Sequence, residues 1–283
     1  MNFSESSDMR SVTFSVLMSI YKGDDAQHLS ESLNSIYELQ TKKPDQIVLV
    51  IDGPVSDELK HVVDDFESRH SSVARVVWCE KNNGLGLALK KGTEFCTCDY
   101  ILRMDADDLS VSDRFERQIK YAREHPEIDA FGGYIEEFNS MPGDIKQLRK
   151  VPIKEQDIRK MLKQRNPMNH VAMCMKKSSL EKVGGYESVL YCEDYFLWVK
   201  MLSADLKLSN MPIKLVDVRV GNGFIGKRNA KERIKSWKYI QRYMLKHGMT
   251  SWWNSLVAMV AIRLFVYMPS SIKATAYKRF LRN

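Results

Sequence analysis

Residues 100–108 read YILRMDADD, a short, mostly apolar run that passes directly into three aspartates within four positions. Its apolar and β-branched residues, bounded by polar ones, predict a strand over Tyr100–Met104. Residues 47–54, IVLVIDGP, repeat the arrangement: an apolar run, then a carboxylate and two turn formers. Working outward, FSVLMSI at 14–20 and VARVVW at 73–78 predict two further strands, and residues 29–39, 57–68 and 85–95 carry helical periodicity between them. Strand and helix in alternation predict an α/β fold, a Rossmann-like, mostly parallel sheet with helices on both faces. Beyond a helix at 113–124, halted before Pro126, the pattern is irregular through Gly143 and Pro152. Residues 154–164, 178–183 and 193–203 then read as helices, 213–220 as a strand, and 231–246 with the segment from Trp252 as closing helices.

Ligands of open α/β sheets collect beyond the carboxyl ends of the strands, so the residues just past each strand are the place to seek chemistry. Asp52, Asp105, Asp107 and Asp108 all stand there. Carboxylates gathered in this way raise one another's pKa unless a cation sits among them. Hard aspartate oxygens suit Mg²⁺ or Mn²⁺, which take one or two protein carboxylates and complete their shells with water and phosphate oxygens. One Asp beside a loop can equally cap the adjoining turn; three so close together favour the metal. Glu193-Asp194 opens the apolar helical set Tyr195, Trp198, Met201 and Leu202, by local pattern an acidic first turn stabilised by the helix dipole. GNGFIGK at 221–227 satisfies G-x-G-x-x-G and nearly a P-loop, but Arg228 stands where Ser or Thr must reach the metal, and no further strand comes after it. It reads instead as a basic loop able to close over a diphosphate, with Lys227 and Arg228 neutralising phosphate. The absence of G-x-S-x-G counts against an α/β-hydrolase.

The 283 residues are enough for one large domain or two modest ones, and 44% hydrophobic with 28% charged residues excludes wholesale disorder. The net charge of +7 is unevenly spread: residues 227–283 hold thirteen Lys and Arg against the single acid Glu232, so the remainder is a mildly acidic body. Within that tail, WWNSLVAMVAIRLFVYM from Trp252 is interrupted by Arg263 and falls short of the roughly 20 apolar residues a bilayer span needs. A Trp pair, an apolar face and flanking Lys246, Lys273, Lys278, Arg279 and Arg282 suit a helix lying in anionic headgroups; a core helix with solvated bases around it is the other reading. No zinc-finger, helix-turn-helix or RNP-like pattern accompanies the charge, so no nucleic-acid partner is expected. Five cysteines with no C-x-x-C pair, and an opening MNFSESSDMR without an apolar h-region, fit reduced thiols and a cytoplasmic protein.

Several of these pieces in order resemble a family 2 glycosyltransferase with the GT-A fold: an opening strand ending Ser19-Ile20-Tyr21, VLVIDGP, NNGLGLALKKG, YILRMDADD with Arg114-Phe115, Asn166-Pro167-Met168-Asn169-His170, Gly184-Gly185-Tyr186, and Glu193-Asp194-Tyr195-Phe196-Leu197-Trp198. The branch resembled most is the bacterial one that builds O-antigen, capsule or exopolysaccharide units. The resemblance implies inverting transfer of a sugar from a UDP-sugar to a hydroxyl of a polyprenyl-diphosphate-linked saccharide. Asp52 would accept a hydrogen bond from the base, Tyr21 and Asp105 would lie in the nucleotide-sugar pocket with Arg228, and Asp107 would hold the metal. Asp194 would be the general base, with His170 and Glu193 on the acceptor side. The pattern leaves Asp108 without a role. The chain is thus expected to comprise a catalytic domain, 1–226, and a basic helical region, 227–283, peripheral at the inner face of the cytoplasmic membrane. A sugar nucleotidyltransferase shares the need for an α/β sheet and metal-binding Asp residues, but the glycine-rich basic loop such enzymes use on a triphosphate is not found after the first strand. A non-enzymatic membrane-surface or nucleic-acid binding module is the remaining alternative.

Overall fold

The computed structural model describes residues 12–220 and 230–268. Four parallel strands, β1 (Phe14–Ile20), β2 (Gln46–Ile51), β3 (Ala74–Trp78) and β4 (Tyr100–Met104), are joined by α1 (Ala26–Ile36), α2 (Asp57–Arg69) and α3 (Leu85–Phe95). The chain continues through β5 (Leu109–Ser110), α4 (Arg114–Glu124), β6 (Ala130–Phe138), β7 (Gln147–Arg149), α5 (Glu155–Leu162), β8 (Cys174–Lys176) and α6 (Lys177–Lys182). It closes with α7 (Glu193–Ser203), β9 (Leu208–Arg219), α8 (Ala230–Lys246) and α9 (Trp252–Tyr267). The sheet runs β3-β2-β1-β4-β8-β6-β9-β5, with β7 hydrogen-bonded to β6. β8 is antiparallel to both β4 and β6, and so divides a parallel half from a mixed one.

Burial on both faces follows from the alternation of apolar side chains along each strand. Leu17, Val48 and Val50 face the cluster containing Leu89 and Trp198, whereas Val16, Met18, Ile47 and Leu49 face the one containing Leu33, Val63 and Phe115. Strand order reverses at β1, between β2 and β4, which opens a crevice beyond the carboxyl ends of β1 and β4.

Four strands escaped the sequence reading, β5, β6, β7 and β8, of which β6 is the longest. β6 falls in the stretch read as irregular, because Gly132-Gly133 resemble a break and Glu136-Glu137 spoil the apolar alternation. Both glycines are packing requirements: a Cβ at Gly132 would meet Met173 Sδ at 2.8 Å, and one at Gly133 would meet Leu215 Cδ1 at 2.5 Å. The register with β9 also shifts beside Tyr134, which no sequence period foretells.

α8 buries Trp237, Ile240 and Met244 in the same cluster as α7, so the start of the basic region is fastened to the body. α9 inserts Ala258, Ile262 and Val266 and leaves Trp253, Val257, Val260, Leu264 and Tyr267 exposed. No helix among the described residues is long and apolar enough to cross a membrane.

Candidate active site

The loop after β2 is held by Asp52. Its carboxylate is buried, 3% exposed; Oδ1 accepts the Asn83 N–H (2.8 Å) and Oδ2 the Gly84 N–H (2.9 Å). Gly84 is the N-cap of α3 and has no side chain to offer, so Asp52 serves that helix start from the neighbouring strand. Gly53 makes the approach feasible: its φ is +86° and a Cβ there would lie 2.5 Å from Asn82 N. Asp52 therefore carries a structural duty that the sequence did not suggest, and each oxygen of this anchored carboxylate keeps a second lone pair.

After β1, Asp24 Oδ2 accepts the Tyr21 N–H at 2.9 Å, and the Asp24 N–H returns to Tyr21 O at 3.0 Å. Burial, and after it the carboxylates of Asp107 and Asp105, pushes the Asp24 carboxyl up to about 7. Burial, Asp24 and Asp107 likewise raise the pKa of the half-exposed Tyr21. Asp24 was missed, although its place just beyond the first strand was the available signal.

The aspartates after β4 divide their labour. Asp105 is ion-paired to Arg103, which lies 2% exposed inside the sheet; burial works against that guanidinium, but Asp105 outweighs it and holds its pKa above the ordinary arginine value. Asp107 opens to solvent, and burial of its surroundings together with Asp105 raises its pKa. Asp108 turns inward, 2% exposed, and Oδ1 accepts the Arg219 N–H at 2.8 Å. The Arg219 side chain bonds Asp107 O (3.1 Å) and Glu31 (2.6 Å), so Asp108 clamps the end of β9 beside the aspartates. Burial, then Asp105 and Asp107, drives the Asp108 carboxyl far above its usual range. Among the described residues no group of three His, Cys, Asp or Glu could hold an ion unaided. A single open carboxylate of hard oxygens, Asp107, fits a cation that takes its other ligands from phosphate and water.

Beneath this floor Arg114, fully buried, donates to Arg103 O (2.8 Å) and Val171 O (3.0 Å). It thereby ties the end of β4 to the 3-10 turn His170–Ala172, at the cost of a guanidinium that burial depresses to about 9. His170 Nε2 shares a 2.8 Å hydrogen bond with Tyr186 OH, and burial plus Arg103 drive its pKa well below the ordinary value, so the ring is neutral.

Asp194 sits in the first turn of α7. Oδ1 accepts its neighbour Tyr195 N–H (2.7 Å) and Oδ2 accepts Asn166 Nδ2 (2.5 Å). Burial raises its pKa against the pull of those two hydrogen bonds. Lys200, further along the same helix, donates to Val183 O (3.1 Å), Gly185 O (2.6 Å) and Glu187 (2.8 Å), fixing the loop that leads into the helix. Glu193 points elsewhere: a Cβ on Gly86 of α3 would come within 2.8 Å of its Cγ, and it does not line the cleft. The cleft itself, about 370 Å³, brings Asp105, Asp107, His170 and Asp194 together with Asn166 and Arg149. Arg228 lies outside the described residues.

Residues 15–184 match the family described as glycosyl transferase family 2. The chain is 34% identical, over 95% of its length and 96% of the relative's, to the UDP-Gal:alpha-D-GlcNAc-diphosphoundecaprenol beta-1,3-galactosyltransferase of Escherichia coli. It is 38% identical to the amylovoran biosynthesis glycosyltransferase AmsE of Erwinia amylovora, over 82% of this chain and 85% of that one. The crystal structure of S. aureus TarS 1–349 in complex with UDP-GlcNAc superposes with a TM-score of 0.69 at 14% identity, covering 95% of this chain and 76% of that chain. At that identity the likeness is one of fold.

Proposed function

The chain belongs to glycosyl transferase family 2 and has the GT-A fold, and from that premise we propose that it transfers a sugar, with inversion, from a UDP-sugar to a hydroxyl of a lipid-diphosphate-linked saccharide in bacterial surface-polysaccharide synthesis. The observation that carries the reading is the meeting of Asp107 and Asp194 on one cleft, a cation-ready carboxylate from the parallel half of the sheet and a desolvated one from α7. The donor assignment is supported by the UDP-galactose named for the E. coli relative and the UDP-GlcNAc bound to TarS. The acceptor assignment is supported by the diphosphoundecaprenol in that relative's name.

Asp107 is the residue to hold Mg²⁺ or Mn²⁺, which when bound stabilises negative charge gathering on the departing diphosphate. Asp52 and Asp24 fix the loops after β2 and β1 and so set the walls of the nucleotide pocket, with Tyr21 on its rim. Asp105, its charge balanced by Arg103, borders the donor sugar. Asp194 takes the acceptor proton; the Asn166 and Tyr195 donors orient its oxygens, and its raised pKa makes it a stronger base than a solvated aspartate. His170, neutral and bonded to Tyr186, shapes the acceptor side without adding charge.

Residues 1–226 form the catalytic unit in this reading, and 227–283 hold it peripherally against the inner face of the cytoplasmic membrane. The support is the exposed apolar stripe of α9 together with the exposed bases Lys235, Lys238, Arg242 and Lys246 of α8 and Arg263 of α9. The decisive experiment screens sugar nucleotides for metal-dependent nucleotide release, with and without a lipid-diphosphate saccharide. Acceptor-stimulated UDP release is the expected result. Diphosphate release from UTP and a sugar 1-phosphate would instead mark a nucleotidyltransferase, and no release with any donor would mark a binding module.

A further inference from the structure

A second cavity of about 900 Å³ lies between α5, α8 and α9. Its walls are mostly apolar, with Trp237, Ile262, Phe265 and Met268 among them, and Lys160, Arg165, Arg233 and the single acid Asp157 line it as well. Met161, Arg165, Arg233 and Trp237 line both this groove and the cleft that holds Asp194, so the two spaces adjoin along these four side chains. Arg149 and Lys150 line the cleft near that junction, and Arg233 stands 5.3 Å over the Phe265 ring, bridging α8 to α9 at the neck. At the far side, Leu264 is 66% exposed and belongs to the apolar stripe of α9 while also lining the groove.

A ligand that fits this space carries a sugar at the Asp194 end, two or more negative charges next, and a long hydrocarbon beyond. Resting on the transferase reading above, we propose that the groove between α5, α8 and α9 receives the isoprenoid chain of the lipid-diphosphate acceptor, with its diphosphate among Arg149, Arg165 and Arg233. Arg149 and Arg165 stand close enough to feel each other's charge: burial, and next Arg149, pull the Arg165 pKa below its ordinary value. Three arginines lining one cleft, two of them shared with the groove, suit a diphosphate, because planar guanidinium forks bind phosphate oxygens in pairs. The hydrocarbon is matched by the apolar side chains of the walls, and its exit past Leu264 continues the exposed apolar stripe of α9. The groove thus deepens the proposed acceptor from a class of molecule to a path across named residues.

The test uses the full chain with UDP and Mn²⁺ saturating the donor side, and farnesyl diphosphate, inorganic diphosphate and farnesol as probes in calorimetry. Farnesyl diphosphate is expected to bind on the order of tenfold tighter, or more, than either half alone. Leu264→Asp and Ala261→Trp, both at exposed positions, place a charge or bulk in the groove and are expected to weaken that probe at least about tenfold while UDP affinity holds. Arg165→Ala is expected to weaken farnesyl diphosphate and leave farnesol unaffected. Groove variants that bind the probe as wild type does overturn the assignment, as does dihexanoylphosphatidylglycerol binding as tightly as farnesyl diphosphate, which gives the groove to bilayer lipid. UDP that binds while farnesyl diphosphate does not overturns the groove and leaves the transferase reading standing. Loss of both overturns both.

Discussion

Asp194→Asn and Asn166→Ala together probe the base through its own hydrogen bonds. Asparagine at 194 can keep accepting the Tyr195 N–H, but turns the 2.5 Å bond from Asn166 into two amide donors facing each other. Losing a hydrogen bond to a charged group costs about 1.5–3 kcal/mol, and removing a desolvated charge offsets part of that, so the net stability change should be on the order of 1 kcal/mol. Turnover should fall by roughly 10²–10⁴, the usual worth of a positioned base. The pH dependence is set by the sign of the shift. The carboxylate is the active form and burial raises its pKa, so kcat/KM for the acceptor falls as pH drops through that raised value. The Asn166 bond lowers the pKa, so Asn166→Ala should move the acidic limb upward; at about 1.36 kcal/mol per unit, a bond worth roughly 1.5 kcal/mol shifts it by about one unit. Acceptor kcat/KM measured across the acidic and neutral range for the three proteins supplies the comparison. An unmoved limb in Asn166→Ala, or turnover in Asp194→Asn within about tenfold of wild type, would refute the assignment.

Asp107→Ala and Asp108→Ala should part company. The exposed Asp107 variant keeps its melting temperature and loses metal-dependent UDP release, whereas the Asp108 variant orphans the Arg219 N–H and loses about 1–3 kcal/mol in denaturant unfolding. Asp108→Asn, which still accepts, should restore most of that stability. Asp24 has a folded pKa raised to about 7, above its unfolded value, so its stabilising contribution is complete at low pH and is lost as pH rises through 7. Asp24→Asn should therefore melt higher than wild type in mildly alkaline buffer and match it in acid, a difference read by paired thermal melts; identical melts throughout would contradict the raised pKa of that carboxylate. Sedimentation with vesicles containing phosphatidylglycerol should fall steeply with salt, and binding indifferent to both salt and anionic lipid would contradict a basic face on the membrane.

What could be read in the sequence tracked the strength of each local period. β1, β4, α3 and α7 coincide with their sequence-derived bounds because each is a clean apolar run or amphipathic turn set closed by polar residues. β6 was invisible because its glycines answer to Met173 and Leu215, which come from distant parts of the chain. The aspartates were findable by position, but their division was not: nothing in DADD says that Asp107 opens outward while Asp108 turns in to hold Arg219. Arg103 was the overlooked signal, a cation inside a strand predicted to be buried on both faces, and therefore in need of the anion that Asp105 supplies.

The antiparallel β8 does more than widen the sheet. Everything proposed for the nucleotide, from Tyr21 to Asp107, comes from chain preceding β8, except for Arg228; Asp194 and the groove lie after it or, like Asn166 and Arg149, just before. The proposed donor and acceptor sites are therefore nearly consecutive blocks of sequence meeting across one seam. Such a layout lends itself to exchange. A chimera that keeps residues up to the end of α4 and takes the remainder from a relative should inherit its nucleotide from one parent and its acceptor from the other, provided the Arg114 ties to the His170 turn are carried across intact.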